Sequence, residues 1–203
     1  MRIKVKKSMK LLLLLAVLAV GVAGCGTKEE KENISTKYEN TEYDGLFDIE
    51  AARKDIWIDG QLLEIPVVLK DLPTGWTYED YNAEYLDQGH GIAVLYYEGK
   101  KMVEVGLENY DAKHFDESIV YNVTIDDSHC NIADVVPNVT TKQEIYEKYG
   151  EPVKVSEFGS YYYGIVNGHK TLGGRSNNQS IIFKFNEDDV VREISFTYAD
   201  LTK

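Results

Sequence analysis

Apolar residues recur at every second position through most of the chain beyond its first fifty residues, and a period of two leaves little besides β-strands. Ile119, Tyr121, Val123 and Ile125 alternate with Val120, Asn122 and Thr124. Successive strand residues point to opposite faces, so this run presents one buried face and one wetter face. Turn residues separate the runs. Asp55-Ile56-Trp57-Ile58 passes through Asp59-Gly60 into Gln61 to Val68, and a pair tolerant of positive φ predicts a type I′ hairpin. Ile92 to Tyr97 and Met102 to Leu107 flank Glu98-Gly99-Lys100-Lys101 and predict a second hairpin. Ile181 to Phe185 and Val190 to Tyr198, either side of Asn186-Glu187-Asp188-Asp189, predict a third.

Helix signals are fewer. Thr141 with Glu144 three residues later is a capping box, and Gly150 followed by Pro152 is a stop, so Lys142 to Tyr149 is predicted as a short helix. Thr77 with Asp80 offers another cap, and Tyr78, Tyr81 and Tyr85 fall at helical spacing, which predicts a further turn there. The expected fold class is α+β: an antiparallel sheet with short helices packed on one face. The 158 residues from Leu46 to Lys203 are enough for one core. They divide into a β-rich half, 46–128, and a half of helix plus antiparallel strands, 129–203.

Residues 1–24 differ in character. Arg2, Lys4, Lys6, Lys7 and Lys10 precede an uncharged stretch from Leu11 to Gly24, shorter than the roughly 20 apolar residues that cross a bilayer. This is the pattern of a secretory signal, and no later apolar run is as long, so the expectation is a chain that does not span a membrane. Residues 25–45, rich in Lys, Glu, Asn and Thr, are expected to form a flexible tether with a reach on the order of 25 Å. Without residues 1–24 the chain carries 17 basic against 34 acidic groups. That charge repels phosphate backbones and argues against a nucleic-acid partner.

The signal ends in Val22-Ala23-Gly24-Cys25, which resembles the lipobox of bacterial lipoproteins. The resemblance implies cleavage between Gly24 and Cys25 and a diacylglyceryl group, with palmitate-type chains, on Cys25 Sγ. It leaves the new amino terminus open to acylation. Two acyl chains hold a protein to a bilayer where one does so only marginally. The expected location is therefore the extracytoplasmic face of the cell membrane, reached by a lipid anchor. Cys130 is then a lone thiol without an intramolecular disulfide partner, and the fold must stand on its apolar core.

From Asn138 to Tyr198 lie Val139-Thr140-Thr141-Lys142-Gln143-Glu144-Ile145-Tyr146-Glu147-Lys148-Tyr149-Gly150-Glu151-Pro152, then Tyr161-Tyr162-Tyr163 and two further strands. This is similar to the repeat of β-lactamase-inhibitor-protein-like and small outer-membrane-assembly lipoproteins. The resemblance implies a non-catalytic role in which an exposed sheet face binds another protein. It also opens the arrangement of a diverged tandem repeat, with Ile56 to Thr124 as the first copy. The two halves share too little identity to read a duplication from the sequence.

Catalytic patterns are weak. Asp126-Asp127-Ser128-His129-Cys130 groups ligand types that zinc accepts, but no second ligand pair follows at metal spacing. Gly168-His169-Lys170-Thr171-Leu172-Gly173-Gly174-Arg175-Ser176 is superficially like a phosphate-binding loop, yet Gly174 stands where the lysine belongs. It is expected to be a hairpin loop whose Lys170 and Arg175 make a basic spot on an acidic protein. Carboxylate pairs such as Asp80 with Glu84 can be drawn at will among so many acids. No metal, cofactor or catalytic set is expected. Three consecutive tyrosines must send Tyr162 to the face opposite Tyr161 and Tyr163, so some aromatic surface lies outside the main core. Trp76, Tyr161, Tyr162, Tyr163, Lys170 and Arg175 are the candidate binding residues. The expected function is membrane-anchored protein binding, as an assembly factor or inhibitor. The alternative is a lipid-tethered enzyme or sensor acting on wall glycans, which needs acids within an aromatic-lined cleft. A transporter's solute receptor ranks last, because the chain lacks βα alternation.

Overall fold

The structure, a computed structural model, describes residues 45–81, 89–165 and 179–199, all within the compact unit Lys37–Lys203. Gly24, Cys25, Glu84, Tyr85, Lys170 and Arg175 lie outside the described residues. Asp48 starts the one-turn helix α1 (Ile49–Ala52) by accepting the Ala51 N–H at 2.9 Å. β1 (Ile56–Ile58) turns through Asp59 and Gly60, at φ of 49° and 79°, into β2 (Gln61–Leu62), with the positive angles a type I′ turn requires. The strand expected to run on to Val68 is instead broken. The chain bends at a cis Ile65–Pro66 bond and β3 (Val67–Val68) joins a different sheet.

β4 (Trp76–Asp80), β5 (Gly89–Tyr97), β6 (Lys100–Tyr110) and β7 (Ile119–Ile125) form an antiparallel meander. The expected helical turn at Thr77 is thus a strand: Tyr78 stands opposite Leu95 and Thr77 opposite Tyr96, and this pairing with β5 overrides the helical spacing of the tyrosines. The β5–β6 turn is the two residues Glu98 and Gly99, both at positive φ, so the hairpin is tighter than the four-residue connection expected. β8 (Cys130–Ile132) then returns to pair with β1, completing a small sheet in the order β2-β1-β8.

The second half begins with α2 (Lys142–Tyr149), where the predicted capping box is present. Glu144 N–H donates to Thr141 Oγ1 while the Glu144 carboxylate accepts from the Thr141 N–H, and Gly150 ends the helix at φ 72°. β9 (Lys154–Val155), β10 (Tyr161–Ile165), β11 (Gln179–Phe185) and β12 (Val191–Tyr198) form a second antiparallel meander, which includes the third predicted hairpin. The two meanders meet where β7 and β12 pair antiparallel, from Ile125 opposite Ile194 to Asn122 opposite Thr197. β3 pairs with the remaining part of β7, at Val120 and Ile119, beyond the stretch that β12 occupies. The large sheet therefore runs β4-β5-β6-β7-β12-β11-β10-β9 without a break between the halves.

The fold is mostly antiparallel sheet with a few short helices. One face of the large sheet carries the core, including Leu95, Val123, Tyr163, Phe183 and Phe196, all wholly buried. Ile145 and Tyr149 of α2 pack there, as do Ile56 and Ile58 of the small sheet. The covering layer is thus as much sheet as helix. That differs from the expected layer of short helices alone, because β1 turns Ile56 and Ile58 inward and β8 turns Cys130 and Ile132 inward, at alternate positions.

Candidate interaction surface

Alternation along the same strands builds the opposite face. Register places Lys154, Tyr162, Ile182, Ser195 and Thr124 side by side across β9, β10, β11, β12 and β7. The next row holds Ser180, which is buried, and the half-buried Thr197, Asn122, Gly106 and Ile92. Its centre is a set of small polar groups that hydrogen-bond to each other. Asn122 Nδ2 donates to Thr197 Oγ1 at 2.9 Å and to the Phe196 carbonyl at 3.0 Å, and Thr124 Oγ1 donates to Ser195 Oγ at 3.1 Å. Gly106 keeps this centre low: a Cβ there would come within 3.1 Å of the Asn122 Cβ. Charges on the face are neutralised locally, Lys184 by Glu193 and Lys101 by Glu104. Such pairs contribute little stability in solvent but leave a surface with few free charges.

The expected binding residues separate between the faces. Tyr162 lies half-buried on the open face, with Lys154 Nζ 5.3 Å from its ring centre. Tyr161 is on the core side, its ring edge-on to Phe185 at 5.1 Å and under Lys142 Nζ at 5.4 Å. Tyr163 is fully buried and donates its hydroxyl to the Gly150 carbonyl at 2.9 Å. Trp76 is 8% exposed and packs edge-on against Tyr97 at 5.5 Å. Trp76 and Tyr163 are therefore core residues and offer a partner no exposed ring. Alternation fixes which tyrosines share a face, but only the packed layer decides which face is covered.

An open cleft of about 400 Å³ sits where the β5–β6 hairpin approaches the end of β7, lined by Glu104, Asp126, Asp127 and Glu193 with Met102 and Cys130. Three of its four carboxylates are engaged: Glu104 with Lys101, Glu193 with Lys184, and Asp127 with the His129 backbone and ring at 2.8 Å each. The His129 N–H holds the Asp127 carboxyl below its ordinary range, followed by the imidazole. Burial pushes the Cys130 thiol up, which keeps it protonated and poorly nucleophilic. His129 stands in the loop while the Cys130 side chain turns inward, so imidazole and thiol do not act together. Among the described residues no three His, Cys, Asp or Glu side chains are placed to hold a metal ion, and no helix is long and apolar enough to cross a membrane.

No family model matches this chain, and no curated protein or solved structure matches it. The site must be read from its own chemistry. One feature of that chemistry escaped sequence reasoning. Tyr146, Val153, Val155 and Phe158, four large apolar side chains close in sequence, are all exposed, Phe158 at 86%. They belong to α2 and to the hairpin of β9 and β10, at the end of the large sheet. A lone phenylalanine in a Ser-Glu-Phe-Gly-Ser turn is an ordinary sight in a sequence, and Val153 and Val155 have the alternation of any strand.

Proposed function

We propose that the protein is a lipid-anchored module of the extracytoplasmic membrane face that binds another protein, without catalysis, through the large sheet. The observation that carries this reading is the open face itself: one continuous sheet presents a broad, locally neutral surface, with the Asn122 network where the two meanders join and the Tyr162 ring on β10, toward the β9 edge. Flat surfaces with few free charges and an aromatic anchor suit protein partners. The two meanders joined at β7 and β12, each preceded by a short helix, also support the α+β tandem-repeat arrangement. The wall-glycan alternative calls for acids in a cleft walled by aromatic rings; among the described residues the acidic cleft has no aromatic residue in its lining, which weighs against stacking on a sugar there.

Two experiments test the reading. A photo-crosslinking residue at Thr124 on the open face should capture one reproducible protein in intact cells, and one at Lys70, exposed and outside the strands that build this face, should not; equal capture from both positions would reject the face. Separately, Cys25→Ala should move the protein from the membrane pellet to the soluble fraction, and retention equal to the native chain would remove the lipid from the account.

A further inference from the structure

The β9 edge of the large sheet ends in backbone that nothing among the described residues pairs, and the chemistry around it is specific. Ser156 N–H donates to the Ser160 carbonyl, and Val155 stands opposite Tyr161. In an antiparallel ladder hydrogen-bonded pairs alternate with non-bonded ones, so the N–H and C=O of Val155 point away from β10, outward from the sheet. Natural sheets shield such groups with charge, proline or a covering loop. Here Val153, Val155 and Phe158 stand exposed instead. The charges nearby are mostly of one sign: between Gln143 and Phe158 there are four glutamates, Glu144, Glu147, Glu151 and Glu157, against Lys148 and Lys154. Both lysines are engaged elsewhere, Lys148 with Asp134 and the Ala133 carbonyl and Lys154 over the Tyr162 ring. Glu157, beside Phe158, forms no ion pair among the described residues.

We propose that the β9 edge is a strand-addition site that takes an extended protein segment of alternating apolar and basic residues. The segment's backbone pairs with Val155, its apolar side chains cover Val153, Val155 and Phe158, and its cations meet Glu151 and Glu157. Main-chain hydrogen bonds supply affinity in this mode and alternate side chains supply specificity. The inference rests on the protein-binding reading and deepens it by giving the partner's chemistry, with the β9 edge holding the partner alongside the open face.

The probe is a short synthetic peptide of alternating lysine and valine, titrated into the full-length protein in detergent beside an alternating glutamate and valine peptide. The lysine peptide should bind at least about tenfold more tightly, and amide exchange should slow at Val155. Val155→Pro is the decisive variant, because a proline whose nitrogen faces outward is tolerated on an edge strand but cannot donate to an added one. It should weaken binding about tenfold or more with an unchanged circular dichroism spectrum. If Val155→Pro disturbs the fold, Glu151→Lys with Glu157→Lys serves instead and should reverse the preference between the two peptides. Equal binding of the peptides, binding untouched by Val155→Pro, or sedimentation showing that the edge is closed by a second copy would each overturn the proposal. A cellular crosslink from Thr124 that survives Val155→Pro undiminished would show that the face holds the partner without the edge, ending the edge proposal while leaving the binding reading intact.

Discussion

Gly91 shows how far a single side chain decides packing in this protein. Its missing Cβ is filled by the Tyr110 ring, which a methyl group there would meet at 2.3 Å. With the ring in that place, the Tyr110 hydroxyl donates to Asp80 Oδ2 at 2.9 Å and the ring stands edge-on to Phe115 at 6.0 Å. Gly91→Ala must push the ring out, and overpacking of this kind costs roughly 1–3 kcal/mol. In a Tyr110→Ala background the same substitution should cost far less, since the clash is gone. A double-mutant cycle by urea unfolding checks this, and additive effects would mean that the ring can move aside freely. Ser118 makes the opposite case. Its side chain is fully buried and its hydroxyl has no hydrogen-bond partner among the described residues. Ser118→Ala should therefore leave stability unchanged or raise it by up to about 1 kcal/mol, read from the same urea midpoints.

At the scale of elements, α2 depends on its cap. Thr141→Ala removes the acceptor for the Glu144 N–H and should cost about 1 kcal/mol, measured by thermal or urea unfolding. The cap also titrates. Hydrogen bonds from the Thr141 backbone and hydroxyl hold the Glu144 carboxyl below its ordinary 4.5. A carboxyl lowered by folding contributes stability above its unfolded value and loses it as the pH falls through the lower, folded one. Stability should thus decline below about pH 4.5, and Glu144→Gln should remove that part of the decline; an unaltered pH profile in the variant would exclude the cap as its source. This helix was legible in the sequence because its start, stop and inward residues all agree. The hairpins at Asp59-Gly60 and Glu98-Gly99 were legible for the same reason, each turn needing positive φ. β4 was not, since Tyr78 and Tyr81 satisfy helical spacing and only the pairing with β5 decides between the two. For the candidate surface, the sequence placed Tyr162 opposite Tyr163 but could not tell which of them the covering layer hides. Phe158 was invisible to it altogether, because exposure in a turn has no sequence period.

For the whole molecule, the decisive contact is β7 with β12. Each is the last strand of its meander and the other's neighbour, and Asn122 ties them further through Thr197 and the Phe196 carbonyl. The core is likewise shared: Val123 stands opposite Phe196 and Ile125 opposite Ile194. A boundary near residue 128 therefore separates stretches of sequence but cuts through a continuous sheet and one apolar cluster. Such an arrangement unfolds as a unit, because opening one half exposes the strand edge and the apolar face of the other. Trp57 and Trp76 both lie in the first half, so tryptophan fluorescence follows that half, whereas far-ultraviolet circular dichroism follows both. The two signals should coincide through urea unfolding. A fragment of residues 129–203 should show no cooperative transition, since β12 would keep β11 but lose β7, and Phe196 would lose the Val123 side of its cover. A fluorescence change completed well before the dichroism change, or a fragment that folds alone, would mean that the halves are separate domains sharing only an edge.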